Sequence, residues 1–211
     1  MLISVWRYRQ IPLGVEMKAL KRTAVALLGF GLAAATSLAQ AVTIDFETTA
    51  IATYNSLTIG EATITYTGGD GDFQVVFASP GAPISGRAII SVFDNPGPAP
   101  FRVDFSSLVS SVSIGVGDFD ADVDNTFMQA YDSSNNLLDS DSYVNPAPTF
   151  GGDFLTVSAA SIAYVLFWDA EPFPGAVYWD QLSYQQVPEP NALLLAALAL
   201  GGLGLTLRRK A

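Results

Sequence analysis

From Val42 to Tyr184 the apolar residues fall in short β-branched and aromatic runs, each closed by Gly, Pro, Asn or Asp. No segment between them keeps the 3.6-residue period of a long amphipathic helix. Such a chain can bury its apolar side chains only by pairing strands. The expected strands are VTIDFE from Val42, ATITYT from Ala62, FQVVFA from Phe73, RAIISVF from Arg87, FRVDFS from Phe101, VSIGVG from Val112, TFMQAYD from Thr126, FLTVS from Phe154, IAYVLFW from Ile162 and VYWDQLSY from Val177. Val112, Ile114 and Val116 share one face and Ser113, Gly115 and Gly117 the other, as a half-buried antiparallel strand requires. IAYVLFW does not alternate and is expected to be a central strand covered on both faces. Gly68 to Gly71 and Ser133 to Asn136 tolerate positive φ and are expected turns, and the proline-rich DNPGPAP from Asp94 is an expected loop. The fold class is therefore all-β: a two-sheet antiparallel sandwich, with a jelly roll or barrel as its possible forms.

Charge narrows the partners. Residues 42 to 187 hold eighteen acids and two cations, Arg87 and Arg102, a formal charge of -16 within a chain of -10. Such a field repels nucleic acid and anionic headgroups and leaves divalent cations or neutral sugars as the expected partners. Cysteine and histidine are both absent, which removes disulfides, thiolate chemistry and the commonest general base and transition-metal ligand.

The acids themselves form two candidate groups. Alternation in TIDFE places Asp45 and Glu47 opposite Ile44 and Phe46, near the end of the strand, while Asp180 has the parity of Tyr178, Leu182 and Tyr184. If the strands carrying them are neighbours, Glu47 and Asp180 suit calcium, a hard ion satisfied by oxygen ligands; the alternative is carboxylates bonded to backbone N–H groups. In GDFDADVDN, Asp118, Asp120, Asp122 and Asp124 recur at every second residue and point the same way in an extended chain. This is a metal-site candidate, weighed against a solvated strand-to-loop junction. It is no EF-hand, because Val123 stands where that loop needs glycine and Gln129 where it needs a bidentate acid. Two carboxylates also suffice for glycoside hydrolysis, and Trp168, Trp179 and the tyrosines offer either a sugar-stacking platform or core.

TIDFE, FDADVDNTFMQAYDSSNNLL and VYWDQLSY together resemble the jelly-roll sandwiches of exported bacterial proteins and carbohydrate-binding modules. The resemblance implies that the first and last strands pair, and that an acid from each holds a structural calcium ion.

The ends read as addresses. Residues 17–41 combine Lys18, Lys21 and Arg22, an apolar run from Ala24 to Ala35, and the small-x-small sequence Ala39-Gln40-Ala41. This is the order of a secretory signal peptide, cut by signal peptidase after Ala41. Residues 1–16 fit no part of such a signal, so Met17 is the expected translation start. The sandwich domain is then 42–186, and residues 187–211 follow it. There Val187-Pro188-Glu189-Pro190 precedes an apolar stretch from Ala192 to Leu207, then Arg208, Arg209 and Lys210. As a helix the stretch spans about 24 Å, short for a membrane of about 30 Å, with the basic cluster facing the cytoplasm. A transmembrane helix in the inner membrane is expected, matched by a signal helix at the other end. Membrane spanning alone does not require the two prolines, which hold Glu189 in an extended segment.

Pro188-Glu189-Pro190 followed by a short helix and Arg208 and Arg209 resembles the PEP-CTERM sorting signal. That resemblance implies recognition by an exosortase, cleavage near the motif, and transfer to the cell surface or an exopolysaccharide matrix. The expected protein is thus an exported, non-catalytic β-sandwich that meets calcium and glycan. The alternative is a membrane-anchored, carboxylate-dependent glycoside hydrolase.

Overall fold

A computed structural model describes residues 40–91, 99–118, 123–146, 151–170 and 177–187. Among these every regular element is a strand: β1 (Ala41–Ile44), β2 (Ala52–Tyr54), β3 (Leu57–Ile59), β4 (Ala62–Tyr66), β5 (Phe73–Gly81), β6 (Ile84–Ser91), β7 (Phe101–Asp118), β8 (Asp124–Tyr131), β9 (Leu137–Asn145), β10 (Gly151–Asp169) and β11 (Val177–Gln186). All pairings are antiparallel, as β-branched runs joined by short turns favour.

Two strands build the architecture because they serve in both layers. The first part of β7 pairs β4 through Phe101 to Phe105, while its second part pairs β11 from Val109 to Asp118. Likewise β10 runs beside the second part of β7 from Gly151 to Ser158, then beside β8 from Tyr164 to Asp169. Register shifts between Ser158, Ile162 and Tyr164 mark the corner, where Ala159, Ala160 and Ser161 are small enough to let a strand change sheets. One layer is therefore β9-β8-β10-β7-β4-β3 and the other β10-β7-β11-β6-β5-β2, with β1 beside β11. FRVDFS and VSIGVG, expected as two strands, are one; so are FLTVS and IAYVLFW.

The layers meet through aromatic rings. Phe101 stacks on Phe167 within one layer at 5.2 Å, and each ring also meets the other layer: Phe73 approaches Phe101 edge-on at 5.7 Å and Trp179 lies 4.7 Å from Phe167. Val112, Ile114 and Val116 enter this core as their alternation requires. Their opposite face is not solvated throughout, however. Gly115 and Gly117 are buried because the turn between β5 and β6 folds over them. A Cβ at Gly115 would sit 2.9 Å from Pro83 Cγ, and one at Gly117 2.7 Å from Ile84 Cγ1, so the glycines serve this close approach. IAYVLFW is central within its sheet, but its outer face is only partly covered, with Leu166 and Trp168 half-exposed.

The turn at Ser133 to Asn136 forms as expected. Asn135 has a φ of 64°, and Asp132 accepts hydrogen bonds from the N–H groups of Ser134 and Asn136. The hydrogen bonds from Asn136 hold the Asp132 carboxyl below its usual range. Residues 92–98, which hold most of the expected DNPGPAP loop, lie outside the described residues.

β9 was not expected as a strand, and it closes a seam. Its LLDSDSYVN pairs β8 on one side. Toward the first part of β10 it offers carboxylates instead of backbone: Asp141 Oδ2 accepts the Thr156 N–H and Asp139 Oδ2 the Ser158 N–H, both at 2.7 Å. Side chains thus satisfy N–H groups on an otherwise unpaired edge, which guards against pairing with another chain. Replacing both aspartates with alanine is expected to cost about 1–3 kcal/mol, read by urea denaturation. A loss below the error of the measurement would mean that water satisfies this edge equally well.

Candidate functional site

β1 and β11 lie side by side, Ile44 opposite Leu182, so the first and last strands are neighbours. Regular extension stops at Ile44, and Phe46, with a φ of 56°, is buried while Asp45 and Glu47 face solvent. Glu47 Oε1 accepts the Arg87 N–H at 2.8 Å, and the Arg87 guanidinium donates to the carbonyls of Glu47 and Thr49 at 2.6 Å. On β11 the expected parity fails. The register slips between Asp180 and Ser183, with Gln181 at a φ of 52°. Asp180 consequently stays on the side of Tyr178, whereas Leu182 and Tyr184 turn into the core. Asp180 is 1% exposed and accepts N–H groups from Gln181 at 2.6 Å and Ser85 at 3.3 Å. Burial pushes its carboxyl up to about 6 despite those two donors, with Glu47 and Asp45 adding to the rise.

The second acidic group is assembled across strands. Asp118 ends β7 and Asp124 begins β8, so the two do not lie along one extended segment. They are 1% and 3% exposed, which excludes a solvated junction at these positions. Asp120 and Asp122 lie outside the described residues. Asp169, at the end of β10, and Asn145, opposite Asp124 on β9, join the group. The Asn125 N–H donates to Asp169 Oδ1 at 3.2 Å. Burial first, then the charges of Asp118 and Asp169 and a hydrogen bond with Asp118, push the Asp124 carboxyl up to about 8, against the pull of its hydrogen bond with Asn145. Asp124 Oδ2 is buried and has no hydrogen-bond partner among the described residues. Among the described residues no three acidic side chains form a group that could hold a metal ion. Sequence reasoning missed Asp169 and Asn145. The signal available for Asp169 was a charge closing a long apolar strand.

The aromatic candidates separate. Trp179 is core at 2% exposure, whereas Trp168 lies on the outer face of β10. There it stacks on Phe127 of β8, with ring centroids 5.4 Å apart. Two pairs along the same face, past Gln129 and Leu166, Tyr131 stacks on the buried Tyr164 at 5.0 Å. The Arg102 guanidinium lies 3.7 Å over the Tyr164 ring and forks onto Asp104 at 2.6 and 2.8 Å. Tyr131 donates to Gln129 Oε1 at 2.6 Å and Tyr164 to Asn135 Oδ1 at 3.0 Å. The face therefore combines flat apolar rings with fixed polar groups, the composition that binding sites use to orient a ligand.

At the two ends, Ala41 opens β1, and Val187 donates its N–H to Leu108 at 3.0 Å. Ala39, Pro188, Glu189, Pro190, Arg208 and Arg209 lie outside the described residues, as do both expected membrane-directed helices. Among the described residues no helix is long and apolar enough to cross a membrane.

Comparison with solved structures finds sandwiches similar to this chain. One is the family 11 carbohydrate-binding module of a cellulosomal cellulase of Clostridium thermocellum, with 9% identity and a TM-score of 0.39 over 74% of this chain and 99% of the module. Another is the K3 adhesin domain of Lys-gingipain from Porphyromonas gingivalis, with 17% identity and a TM-score of 0.42 over 69% of this chain and 99% of that domain. An arabinose-bound α-L-arabinofuranosidase matches at 11% identity with a TM-score of 0.42 over 67% of this chain. The chain spans 25% of that enzyme's length. No curated protein matches the chain. Residues 186–210 match the family described as the PEP-CTERM protein-sorting motif. Behind its acidic all-β sandwich, then, the chain carries the PEP-CTERM protein-sorting motif, a signal for export and membrane-anchored sorting.

Proposed function

We propose that this is an exosortase-processed protein of the cell surface or exopolysaccharide matrix, with a non-catalytic sandwich that contacts neutral glycan. The sorting motif at residues 186–210 carries the reading. The half-buried Phe127, Trp168 and Tyr131 on the outer face support the glycan part, since sugar rings stack on flat aromatic surfaces flanked by hydrogen-bonding groups. The charge of -16 between residues 42 and 187 favours uncharged polymers over phosphate-bearing ones. Asp124 and Asp180, two carboxyls that burial pushes well up, are 3% and 1% exposed. A general acid must reach its substrate, so their burial favours binding over hydrolysis. Calcium is part of the same reading. Between the two acidic groups, Asp180 already has backbone donors on both oxygens, which favours the group around Asp118 and Asp124 as the ion's place.

Deleting Pro188 to Pro190 in an exosortase-bearing host is expected to leave the protein in the inner membrane with its tail mass intact. Unchanged surface delivery and unchanged processing would sink the sorting part. Trp168→Ala in the full-length chain is expected to weaken retention on a neutral polysaccharide about tenfold, the scale of the apolar area one large aromatic ring buries against a sugar. Turnover of that polysaccharide, lost on a single Asp→Asn change, would instead support the glycosidase.

A further inference from the structure

The first residues of the matched sorting motif are built into the sandwich. The match starts at Gln186, which is also the last residue of β11. β11 has β7 along one side and, from Leu182 to Gln185, β1 along the other. Past that ladder the Gln186 N–H donates to the Gln40 carbonyl and the Val187 N–H to the Leu108 carbonyl, both at 3.0 Å. Successive N–H groups of an extended strand point to opposite sides, so Gln186 is held from the β1 side and Val187 from the β7 side. The chain is thus fixed on both flanks up to the residue before Pro188, and Pro188 and Pro190 have no N–H with which to extend either ladder.

A signal-peptidase cut after Ala41, which the Ala39-Gln40-Ala41 sequence predicts, removes one of those flanks. Gln40 leaves, and with it the acceptor of the Gln186 N–H; Ala41 leaves, and Gln185 loses its neighbour. Val42 then begins the chain opposite Tyr184, and Gln185 to Val187 run past it with an open edge. The bond from Val187 to Leu108 is untouched, so the segment stays extended, with the 46% exposed Leu108 beside it. An extended segment with one free edge is the form in which strands are recognised by strand addition.

We infer that the Gln185–Val187 edge, opened by removal of residues up to Ala41, is where the processing enzyme docks, laying an extended strand of its own beside the motif it acts on. This rests on the sorting reading above and on signal cleavage after Ala41. The position of the mature N-terminus thereby sets the rate of tail processing, because residues 39–41, when retained, occupy the edge the enzyme needs.

The test compares, in an exosortase-bearing host, the chain cut after Ala41 with one whose signal is cut ahead of Ala39. Pulse-chase readings of tail mass are expected to show the longer chain processed roughly three- to tenfold more slowly. Its Gln186 amide should also exchange hydrogen more slowly by a similar factor, the scale of one backbone hydrogen bond. In the chain beginning at Val42, Gln186→Pro removes the N–H offered to the enzyme, so processing should slow with little change in melting temperature. Equal processing of the two N-termini overturns the inference, whatever the proline variant does. So does equal exchange at Gln186, or a folded Gln186→Pro chain processed at the unaltered rate. Processing that stops on deletion of Pro188 to Pro190 but ignores the N-terminus removes this inference and keeps the sorting reading. A tail left intact in every chain removes the sorting reading, and this inference with it.

Discussion

Phe101→Ala is expected to destabilise the sandwich by about 3–5 kcal/mol, the usual cost of removing a buried aromatic ring. Phe101 is 2% exposed and lies 5.0 Å from Tyr66, 5.7 Å from Phe73 and 5.2 Å from Phe167, ring to ring. One side chain thus links β4, β5, β7 and β10, two of which run through both layers. Because a domain of this size is stable by only about 5–15 kcal/mol, the loss should show as a large fall in the urea midpoint. Phe127→Ala is the internal control. Phe127 is half-buried on the outer face and touches chiefly Trp168, so about 1 kcal/mol is expected from its area and one ring contact. Equal losses at the two positions would contradict a core lying between the layers.

The difference between those two phenylalanines also measures how far the sequence could be read. Alternation placed Ile44, Val112, Ile114 and Val116 inside correctly, because in a strand the side-chain period is a local property of the backbone. It failed at Asp180, where one extra residue at Gln181 reverses every side chain beyond it, and bulges leave no reliable mark in a single sequence. β9 was missed for a different reason. Its Asp139 and Asp141 face another strand's N–H groups, and a strand held by carboxylates lacks the apolar alternation by which strands are found. The acidic site was half legible. The run from Asp118 to Asp124 showed that charge would accumulate there, but only the topology brings up Asp169 and Asn145, from β10 and β9. Trp168 and Trp179 could not be told apart from composition, since facing core or solvent depends on strand register. The sorting motif was the most legible feature, because a linear signal is read by its recognising enzyme as sequence and needs no fold to assemble it.

In the presence of chelator the chain is expected to lose stability as pH rises from about 4 to about 8, the reverse of a protein held together by ion-paired carboxylates. Asp124 titrates near 8 and Asp180 near 6 in the folded chain, against an ordinary 3.8, burial being the leading cause for both. Between those values the folded state holds protons that the unfolded state has released. Raising the pH therefore favours unfolding, and the contribution of each group, complete below about 3.8, is gone once its folded value is passed. Each group alone gives a slope of about 1.4 kcal/mol per pH unit inside its window, so the fall should be steepest between about 4 and 6, where both act. Asp180→Asn should flatten that lower part, and Asp124→Asn the part that continues toward 8. On the proposed calcium reading the ion and the proton compete for the same carboxylates, so any stabilisation by calcium should be larger at pH 8 than at pH 5. Urea midpoints across this range, with and without calcium, decide the matter. Stability that climbs with pH in the chelated chain would show that Asp124 and Asp180 are ionised in the fold and already compensated.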